Sequence, residues 1–277
     1  MFFSDHRIDA VSNLGAFLRS VASGAPAPEG LEDLAEALRA AATKSLRHNG
    51  WFTEANVYHA LASWGAALTK ENLLAWRDRE GGTREVNRHR VGIVMAGNIP
   101  LVGLHDFLSI FLSGHFAVVK MSSDDEALMP VLATVLLRQD PLFEGDWVFV
   151  DQLNDMGAVI ATGSDNTARY FEYYFGKYPN IIRKNRTSLA LLDGSESDEE
   201  LVALGSDIFQ YFGLGCRNVG HLLVPADFDI QRIFANIVDW SDMVNNNKYG
   251  NNYDYYRALF LLNQEDFLEN GFIIVRE

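Results

Sequence analysis

The only cysteine of the sequence, Cys216, is the first candidate for chemistry. It lies in the segment GLGCR (residues 213–217), where the flanking glycines allow a tight turn and let a substrate approach the sulfur. The adjacent Arg217 favours the thiolate, which is the nucleophilic form of cysteine. A buried structural cysteine is the alternative, and for a cysteine considered alone it is the more common case. A nucleophilic role for Cys216 therefore depends on the other motifs of the chain.

Asn98 is the second candidate. It follows a short apolar run, residues 91–96, and precedes Pro100 and an apolar helix predicted over residues 102–112. A side-chain amide at the carboxyl end of a parallel strand can donate a hydrogen bond to a developing oxyanion. The alternative is a helix cap, because asparagine followed by Ile-Pro is a favourable helix start and capping is the more common role.

Three further residues suit a phosphate or a ribose. Gly163 and Ser164 close a predicted strand and open a predicted helix, where backbone N–H groups are available to a phosphate. Asp165 places negative charge at the same point, and the segment is not the dinucleotide fingerprint GxGxxG. Lys120 ends another predicted strand and can hydrogen-bond ribose hydroxyls or a phosphate, although a solvated lysine at a strand end is the more common explanation.

The elements that must position these residues change in type near residue 90. Apolar residues at helical spacing predict helices over residues 1–80. Strands predicted at 91–96, 116–120, 147–151 and 158–161 then alternate with helices, which indicates βαβ units and a parallel sheet. The aromatic residues of the last of these helices, which ends at Phe175, are expected to pack against the sheet, with an acyl channel as the alternative.

A second unit is predicted to begin near Ser188, with a helix over residues 198–212 and a strand over 221–224. Residues 245–257 are predicted to form a loop, because they are rich in asparagine and tyrosine. A final strand is predicted at 271–275, two residues before the chain ends at residue 277. Since a strand normally leads to a further element, we expect that the C-terminus is truncated.

The composition excludes several classes of protein. A net charge of -14 argues against nucleic-acid binding, which needs clustered Lys and Arg. One cysteine cannot form an internal disulfide, and no spacing of His, Cys, Asp and Glu resembles a zinc site. The N-terminus lacks the pattern of a signal peptide, and the most apolar stretch, residues 101–119, contains His105, Asp106 and His115, which argues against a membrane span. These observations predict a cytoplasmic enzyme.

Three segments, taken in order, resemble the long-chain acyl-CoA reductase family. This family makes fatty aldehyde for bacterial luminescence, has relatives in many non-luminous bacteria, and belongs to the aldehyde dehydrogenase superfamily. The segments are MAGNIPLVGLHDF (95–107), ATGSDNTARYFEYYFGKYP (161–179) and FGLGCRNV (212–219). The resemblance extends from about Val91 to the end of the chain.

The resemblance assigns roles to the candidate residues. Asn98 matches the asparagine that donates to the oxyanion in aldehyde dehydrogenases, and Cys216 matches the cysteine that accepts the acyl group. Lys120 matches the strand-end lysine that binds the adenine ribose. Gly163 and Ser164 match the Gly-Ser pair that opens the helix beside the cofactor pyrophosphate. The resemblance implies NADPH as cofactor, with NADH as the alternative, and no metal.

Two departures from the superfamily pattern bear on the reaction. Aldehyde-oxidising members carry a general-base glutamate in a Glu-Leu-Gly-Gly-Lys segment, whereas the corresponding residues 183–187 here are RKNRT, without a carboxylate. The loss of a base that activates water fits acyl transfer to and from CoA. The segment with the glutamate that binds the nicotinamide ribose is expected beyond residue 277.

The resemblance therefore implies an α/β, aldehyde dehydrogenase-like fold. We expect a parallel-sheet cofactor-binding domain over residues 1–185, with residues 1–85 largely helical, and an incomplete catalytic α/β lobe over 186–277. The implied reaction is the reduction of a long-chain fatty acyl-CoA, or an acyl-protein thioester, to fatty aldehyde through a Cys216 acyl-enzyme. A homo-oligomer and an acyl-protein synthetase partner are also implied.

Three alternatives stay open at this point. The first is a CoA-acylating aldehyde dehydrogenase that acts on shorter chains. The second is a truncated homologue that binds nucleotide without catalysis. The third is a cysteine hydrolase that pairs Cys216 with His221, five residues further along the chain.

Overall fold

The structure, a computed structural model, describes residues 2–277. The chain divides into two compact units, Met1–Asn185 and Arg186–Glu277. The first unit contains a helical N-terminal part followed by a parallel sheet, and the second contains two short sheets and three α-helices.

Four helices form the N-terminal part: α1 (Asp5–Ser23), α2 (Glu32–His48), α3 (Glu54–Ala67) and α4 (Lys70–Arg79). In α1, the apolar residues that recur at helical spacing are all buried, namely Ile8, Val11, Leu14, Leu18 and Val21. The side chains of Ser4, Thr53 and Thr69 cap α1, α3 and α4 by accepting the backbone N–H three residues later. The prediction of a helical N-terminus is confirmed.

The rest of the first unit alternates strands and helices. Its elements are β1 (Arg90–Val94), α5 (Leu104–Leu112), β2 (Phe116–Lys120), α6 (Leu128–Gln139), a 3-10 turn (Pro141–Phe143), β3 (Trp147–Phe149), β4 (Ala158–Thr162), α7 (Asp165–Phe175) and β5 (Asn180–Arg183). The five strands are all parallel, in the order β3-β2-β1-β4-β5. The central strands are apolar because helices or loops cover both of their faces. The predicted parallel sheet is confirmed, and β5 is an additional strand.

The two faces of this sheet are covered differently. The helices α1, α2, α5 and α6 share one core cluster with β1 and β2, which includes Phe107 and Phe111. The other face has a smaller cluster, in which α7 contributes Phe171 and Phe175. The connection from β3 to β4 contains no helix. It lies directly over Gly92, where an added Cβ would be only 2.9 Å from Leu153 Cδ1.

The second unit is built around the parallel pair β6 (Ser188–Leu191) and β7 (Val219–Leu223). The helix α8 (Asp198–Phe209) and a 3-10 turn (Gln210–Gly213) connect these strands. The remaining elements are α9 (Gln231–Asn236), a 3-10 segment (Val238–Asn245), α10 (Asn247–Leu262) and the antiparallel pair β8 (Leu268–Glu269) and β9 (Ile274–Val275). Leu201, Phe209, Ile233, Ile237 and Phe272 are among the buried residues of its core.

The prediction of a loop over residues 245–257 is wrong, because most of this segment lies in α10. Asparagine, glycine and tyrosine are only moderate or weak helix formers, and none of the residues of α10 is buried, so no apolar periodicity marks the helix. Tertiary contacts stabilise it instead: Tyr249 donates to the Phe272 carbonyl, and Glu269 binds both Tyr253 and Arg257. The final strand is also shorter than predicted, since only Ile274 and Val275 pair with β8.

Candidate functional site

The carboxyl edge of the five-stranded sheet brings the predicted site residues of the first unit together. Lys120 at the end of β2 is in register with Val94, which in turn aligns with Ala161 of β4. The segments that follow β1 and β4 therefore begin at the same edge at which β2 ends. They contain Asn98, Gly163 and Ser164, and Lys120 is the last residue of β2. The strand order reverses at β1, because β2 and β3 lie on one side of it and β4 and β5 on the other. In open α/β sheets, ligands bind at such a switch point.

Asn98 is exposed in the turn between β1 and α5. The N-cap residue of α5 is Gly103, five residues later, so the alternative that Asn98 caps this helix is wrong. The neighbouring Gly97 is closely packed: an added Cβ would be 2.5 Å from Ser122 Oγ, and its carbonyl accepts a hydrogen bond from Asn49 Nδ2 at 3.1 Å. The segment that contains Asn98 is therefore held against the connection that follows β2.

Lys120 lies at the edge of an open cavity of about 620 Å³. The cavity is lined further by residues 151–155, which follow β3, by Tyr174 of α7, and by Lys177 and Tyr178, which follow that helix. A volume in this range suits a small ligand or part of a cofactor. Sequence reasoning did not predict these additional lining residues. Residues 151–155 could have been proposed from the sequence, because they are mostly polar and follow the third predicted strand at the same edge of the sheet.

Gly163 and Ser164 form the start of α7. Ser164 is the N-cap, and its hydroxyl accepts the Thr167 N–H at 3.3 Å. The N–H of Gly163 donates to the Arg183 carbonyl at 3.2 Å, so this particular donor is occupied by β5. A Cβ at Gly163 would be 2.9 Å from the Phe171 ring, which gives this glycine a packing role in addition to any ligand contact. The first N–H groups of α7 itself are those that a helix leaves without intrahelical acceptors.

The aromatic residues of α7 divide between two environments. Phe171 and Phe175 pack against the sheet, as expected. Tyr170, Tyr173 and Tyr174 are exposed, so the expectation of packing is wrong for these three residues. The helix has one apolar face toward the sheet and leaves the tyrosines on its outer side.

An ion pair next to this edge was not predicted from the sequence. Arg183, the last residue of β5, contacts both carboxylate oxygens of Asp106 in the first turn of α5. Burial opposes ionisation of Asp106, but hydrogen bonds from His105 and Arg183 outweigh it, and the pKa of this carboxyl is lowered. Arg183 also begins residues 183–187, the segment that the resemblance aligns with the general-base glutamate. Two carboxylates contact this segment: Asp106, which is paired with Arg183 and is a weak base, and the exposed Glu172, which is paired with Lys184 at 2.9 Å.

Cys216 belongs to the second unit and is exposed, so the alternative of a buried structural cysteine is wrong. It lies in a turn in which the Asn218 N–H donates to the Gly215 carbonyl at 2.9 Å. Asn218 Oδ1 also accepts the Gly215 N–H at 2.7 Å, while its Nδ2 donates to the Asp207 carbonyl of α8 at 2.9 Å. Asn218 thus fixes the turn that presents the thiol.

The backbone before this turn is strained. Tyr211 and Phe212 have φ values of 56° and 59°, in the left-handed region that side chains other than glycine rarely adopt. Phe212 packs against Tyr249 with a centroid distance of 5.9 Å. Burial raises the pKa of Tyr211 to about 12, so its phenol stays neutral. Such strain persists only where the surrounding structure enforces it.

Other kinds of site receive no support from residues 2–277. His221 lies on β7, and no hydrogen bond joins it to Cys216 in this part of the chain. No cluster of three or more His, Cys, Asp or Glu side chains within the same range has the arrangement of a metal site. Over these residues, too, every helix is too short or too polar to span a membrane.

Comparison with solved structures identifies the fold. The chain is similar to a putative aldehyde dehydrogenase from Burkholderia cenocepacia, with a TM-score of 0.59 and 13% identity over 82% of this chain and 51% of that one. It is also similar to an NAD-dependent benzaldehyde dehydrogenase from Corynebacterium glutamicum, with a TM-score of 0.58 and 13% identity over 85% of this chain and 54% of the other.

A third similar structure is the glyceraldehyde-3-phosphate dehydrogenase GapN from Methanocaldococcus jannaschii in complex with NADP, with a TM-score of 0.57 and 14% identity over 85% of this chain and 57% of the other. The chain thus spans about half the length of these proteins. No protein-family profile and no curated protein sequence matches it. At these identities the comparison establishes the fold, which is aldehyde dehydrogenase-like, and the predicted fold class is confirmed.

Proposed function

We propose that this protein reduces long-chain fatty acyl-CoA to fatty aldehyde with NADPH, through an acyl-enzyme on Cys216. NADH is the alternative cofactor, and an acyl-protein thioester is the alternative acyl donor. The most direct support for this proposal is that four candidate residues lie at one edge of the parallel sheet, namely Asn98, Lys120, Gly163 and Ser164. The chain that contains this sheet has an aldehyde dehydrogenase-like fold.

In the proposed reaction, the Cys216 thiolate attacks the thioester carbonyl carbon, and the oxygen becomes an oxyanion. The side-chain amide of Asn98 donates a hydrogen bond to this oxygen, which stabilises the tetrahedral state. The carbon–sulfur bond to CoA then breaks, CoA leaves as a thiolate, and an acyl-enzyme remains on Cys216. Asn98 again stabilises the oxygen when the acyl group is reduced, and aldehyde release returns the sulfur to its thiolate form.

The first unit fits a nicotinamide nucleotide. The cavity beside Lys120 has room for a nucleoside, and Tyr174 and Tyr178 provide aromatic surface for a base. The start of α7 at Ser164 suits a phosphate, although Asp165 reduces the positive potential there. When bound, the cofactor would supply a hydride to the acyl carbon. The protein residues contribute the orientation of the reacting groups.

The environment of Arg183 supports reduction over hydrolysis. A hydrolysing dehydrogenase needs a carboxylate that takes a proton from water. Two carboxylates contact this segment. Asp106 is 5% exposed and binds Arg183 at 2.6 Å, and its lowered pKa makes it a poor proton acceptor. Glu172 is exposed and is held in an ion pair with Lys184 at 2.9 Å. The acyl-enzyme should therefore persist until hydride or CoA reaches it.

The experiment that tests this proposal is acylation followed by mass spectrometry. Incubation with a long-chain acyl-CoA should add one acyl group to Cys216, and NADPH should then discharge it as fatty aldehyde. Cys216→Ala should show neither adduct nor aldehyde, with a circular dichroism spectrum like that of the wild type. An adduct that persists in Cys216→Ala would overturn the assignment of the nucleophile.

Nucleotide binding without catalysis is the second candidate, because all four residues proposed for the edge of the sheet lie within Met1–Asn185. Calorimetric titration with NADPH, run beside the acylation assay, separates the two. Binding that is weakened by Lys120→Ala, in a protein whose Cys216 is never acylated, would favour this candidate over the reductase.

A further inference from the structure

Asp125 is a buried carboxyl group directly beside the segment that contains Asn98. It lies between β2 and α6, and only 6% of its surface is exposed. Its Oδ2 accepts the Leu101 N–H at 2.7 Å. Its Oδ1 is buried and has no hydrogen-bond partner among residues 2–277. Burial of a carboxyl destabilises the folded protein unless hydrogen bonds or a charged partner compensate it. Asp125 has only a partial compensation, which suggests that its contact with Leu101 has a specific role.

The Leu101 backbone shows what the Asp125 contact achieves. Leu101 has a φ of 57°, which is unfavourable for a leucine, and its side chain is fully buried. This conformation lets the chain reverse after Pro100 while the side chain enters the core. The same conformation leaves the N–H of Leu101 inside the protein, where the Asp125 carboxyl is its acceptor among residues 2–277. The hydrogen bond therefore stabilises a turn that the residue itself disfavours.

The other end of the turn is held by the same connection. Asn49 Nδ2 donates to the Gly97 carbonyl at 3.1 Å and reaches the Asp124 carbonyl at 3.5 Å. Gly97 has no room for a Cβ, because Ser122 Oγ and Asp124 Cβ would lie within 2.9 Å of it. The segment 97–101 is thus attached to residues 122–125 at both ends, with the exposed Asn98 between the attachments.

We propose that Asp125 is a positioning residue, which holds the 97–101 turn through the Leu101 N–H and thereby directs the Asn98 amide toward the oxyanion of the acyl thioester. This inference rests on the proposed role of Asn98. Burial raises the pKa of Asp125 to about 7, with a partial offset from the Leu101 hydrogen bond, so the carboxyl is neutral in mildly acidic solution. An asparagine has the same shape as a neutral carboxyl and should replace it well.

The test compares two substitutions of Asp125 with matched changes at its exposed neighbour Glu126. Asp125→Ala should slow acylation of Cys216 at saturating acyl-CoA by about ten- to a hundredfold, less than the hundred- to thousandfold typical for removal of an oxyanion donor. The KM for acyl-CoA should change little, because Asp125 is buried and is proposed to act through Asn98. Asp125→Asn should retain most of the wild-type rate, and Glu126→Ala and Glu126→Gln should both behave like the wild type.

The double variant Asn98→Ala/Asp125→Ala distinguishes positioning from a general structural effect. If Asp125 acts through Asn98, the double variant should acylate no more slowly than Asn98→Ala alone, because the effects of coupled residues do not add. Losses that multiply would overturn the proposal, as would a wild-type rate in folded Asp125→Ala. If Asp125→Ala does not fold, Asp125→Ser takes its place, since a serine hydroxyl is too short to reach Leu101.

Hydrogen exchange separates failure of this inference from failure of the proposed function. In the wild type and in Asp125→Asn, the Leu101 amide should exchange slowly. In Asp125→Ala it should exchange at least about tenfold faster, while the amides of β1 stay protected. If the wild type is never acylated, the proposed function is wrong, and this measurement still decides whether Asp125 holds the turn. Unchanged protection of Leu101 in Asp125→Ala would overturn the inference.

Discussion

One nitrogen of the Arg183 guanidinium lies 2.8 Å from Oδ1 and 2.6 Å from Oδ2 of Asp106. The two residues are 77 positions apart in the sequence. Asp106 belongs to the first turn of α5 and Arg183 ends β5, so the pair links the helix that follows the Asn98 turn to the start of residues 183–187. We expect this pair to stabilise the first unit and, under the proposed function, to keep Asp106 from acting as a general base.

Removal of Arg183 should destabilise the protein more than neutralisation of Asp106. Arg183→Met leaves the buried Asp106 carboxylate without its arginine, and should cost about 2–3 kcal/mol. This is less than for a fully buried pair, because 36% of the Arg183 side chain is exposed. Asp106→Asn should cost only about 1 kcal/mol. Denaturant unfolding at pH 7 measures both values.

The control for the Arg183 prediction is Lys184→Met, which breaks an exposed ion pair with Glu172 and should change the free energy of unfolding by less than about 1 kcal/mol. Addition of Asp106→Asn to Arg183→Met should recover part of the loss, since no unpaired carboxylate remains. Equal effects of Arg183→Met and Lys184→Met would show that the Asp106 pair contributes nothing beyond a surface contact.

Asp125 should make stability depend on pH in the direction opposite to an ion-paired carboxylate. Its pKa is raised from 3.8 to about 7 in the folded state, so the folded protein holds this proton more tightly than the unfolded chain does. The stabilisation from this proton is complete below about pH 4 and is lost as the pH rises through 7. Above about pH 8 the contribution of Asp125 to the free energy of unfolding no longer changes with pH. The rise in pKa corresponds to about 4 kcal/mol over this interval.

Asp125→Asn should remove this dependence on pH. The free energy of unfolding should be measured for both proteins from pH 4 to pH 8. The stability of Asp125→Asn relative to the wild type should increase as the pH rises, with no further increase above about pH 8. Glu126→Gln, which neutralises an exposed carboxyl next to it, should follow the wild-type curve. A constant difference between Asp125→Asn and the wild type at all pH values would contradict the raised pKa.

Asn218 should matter for acyl transfer more than for the intrinsic reactivity of the thiol. Asn218→Ala removes the hydrogen bonds to Gly215 and to Asp207, which hold the Cys216 turn. Acylation by acyl-CoA should slow by about ten- to a hundredfold, equivalent to about 1–3 kcal/mol of lost positioning. Alkylation by iodoacetamide, which needs no fixed orientation, should stay within about threefold of the wild type.

The matched control for Asn218 is Asn245→Ala, which removes an exposed amide bonded only to Asp242 in the same unit. It should leave both rates unchanged. If the acylation and alkylation rates of Asn218→Ala fall in parallel, the residue affects the thiol itself or the fold, and the positioning role is wrong.

The last prediction concerns CoA. If no carboxylate activates water at residues 183–187, aldehyde and NADP+ should be converted rapidly only when CoA is present. Without CoA, free acid should form at least about a hundredfold more slowly, which is the usual contribution of a general base. Chromatography of the products with and without CoA measures the difference. Fast acid formation that needs no CoA would show a hydrolysing dehydrogenase.

Local patterns in the sequence were sufficient to predict most of the helices and strands. The apolar spacing of Ile8, Val11 and Leu14 predicts α1, and short apolar runs between helices predict the strands of a parallel sheet. These elements could be predicted because burial of one helix face, or of both faces of a strand, imposes a period on the residues themselves. Strand ends also indicated where Asn98, Lys120 and Gly163 would lie, since the carboxyl ends of parallel strands share one edge. Their chemical roles stay predictions.

Contacts between distant segments were decided only by the tertiary structure. Nothing near Asp125 in the sequence indicates that its carboxyl accepts the N–H of Leu101, and nothing near Asp106 indicates Arg183. The helix α10 was missed for the same reason, because its stability comes from partners such as Glu269 and not from an apolar face. Whether a polar side chain is exposed, paired or buried depends on which segments pack against it, and that information is absent from the residues next to it in the chain.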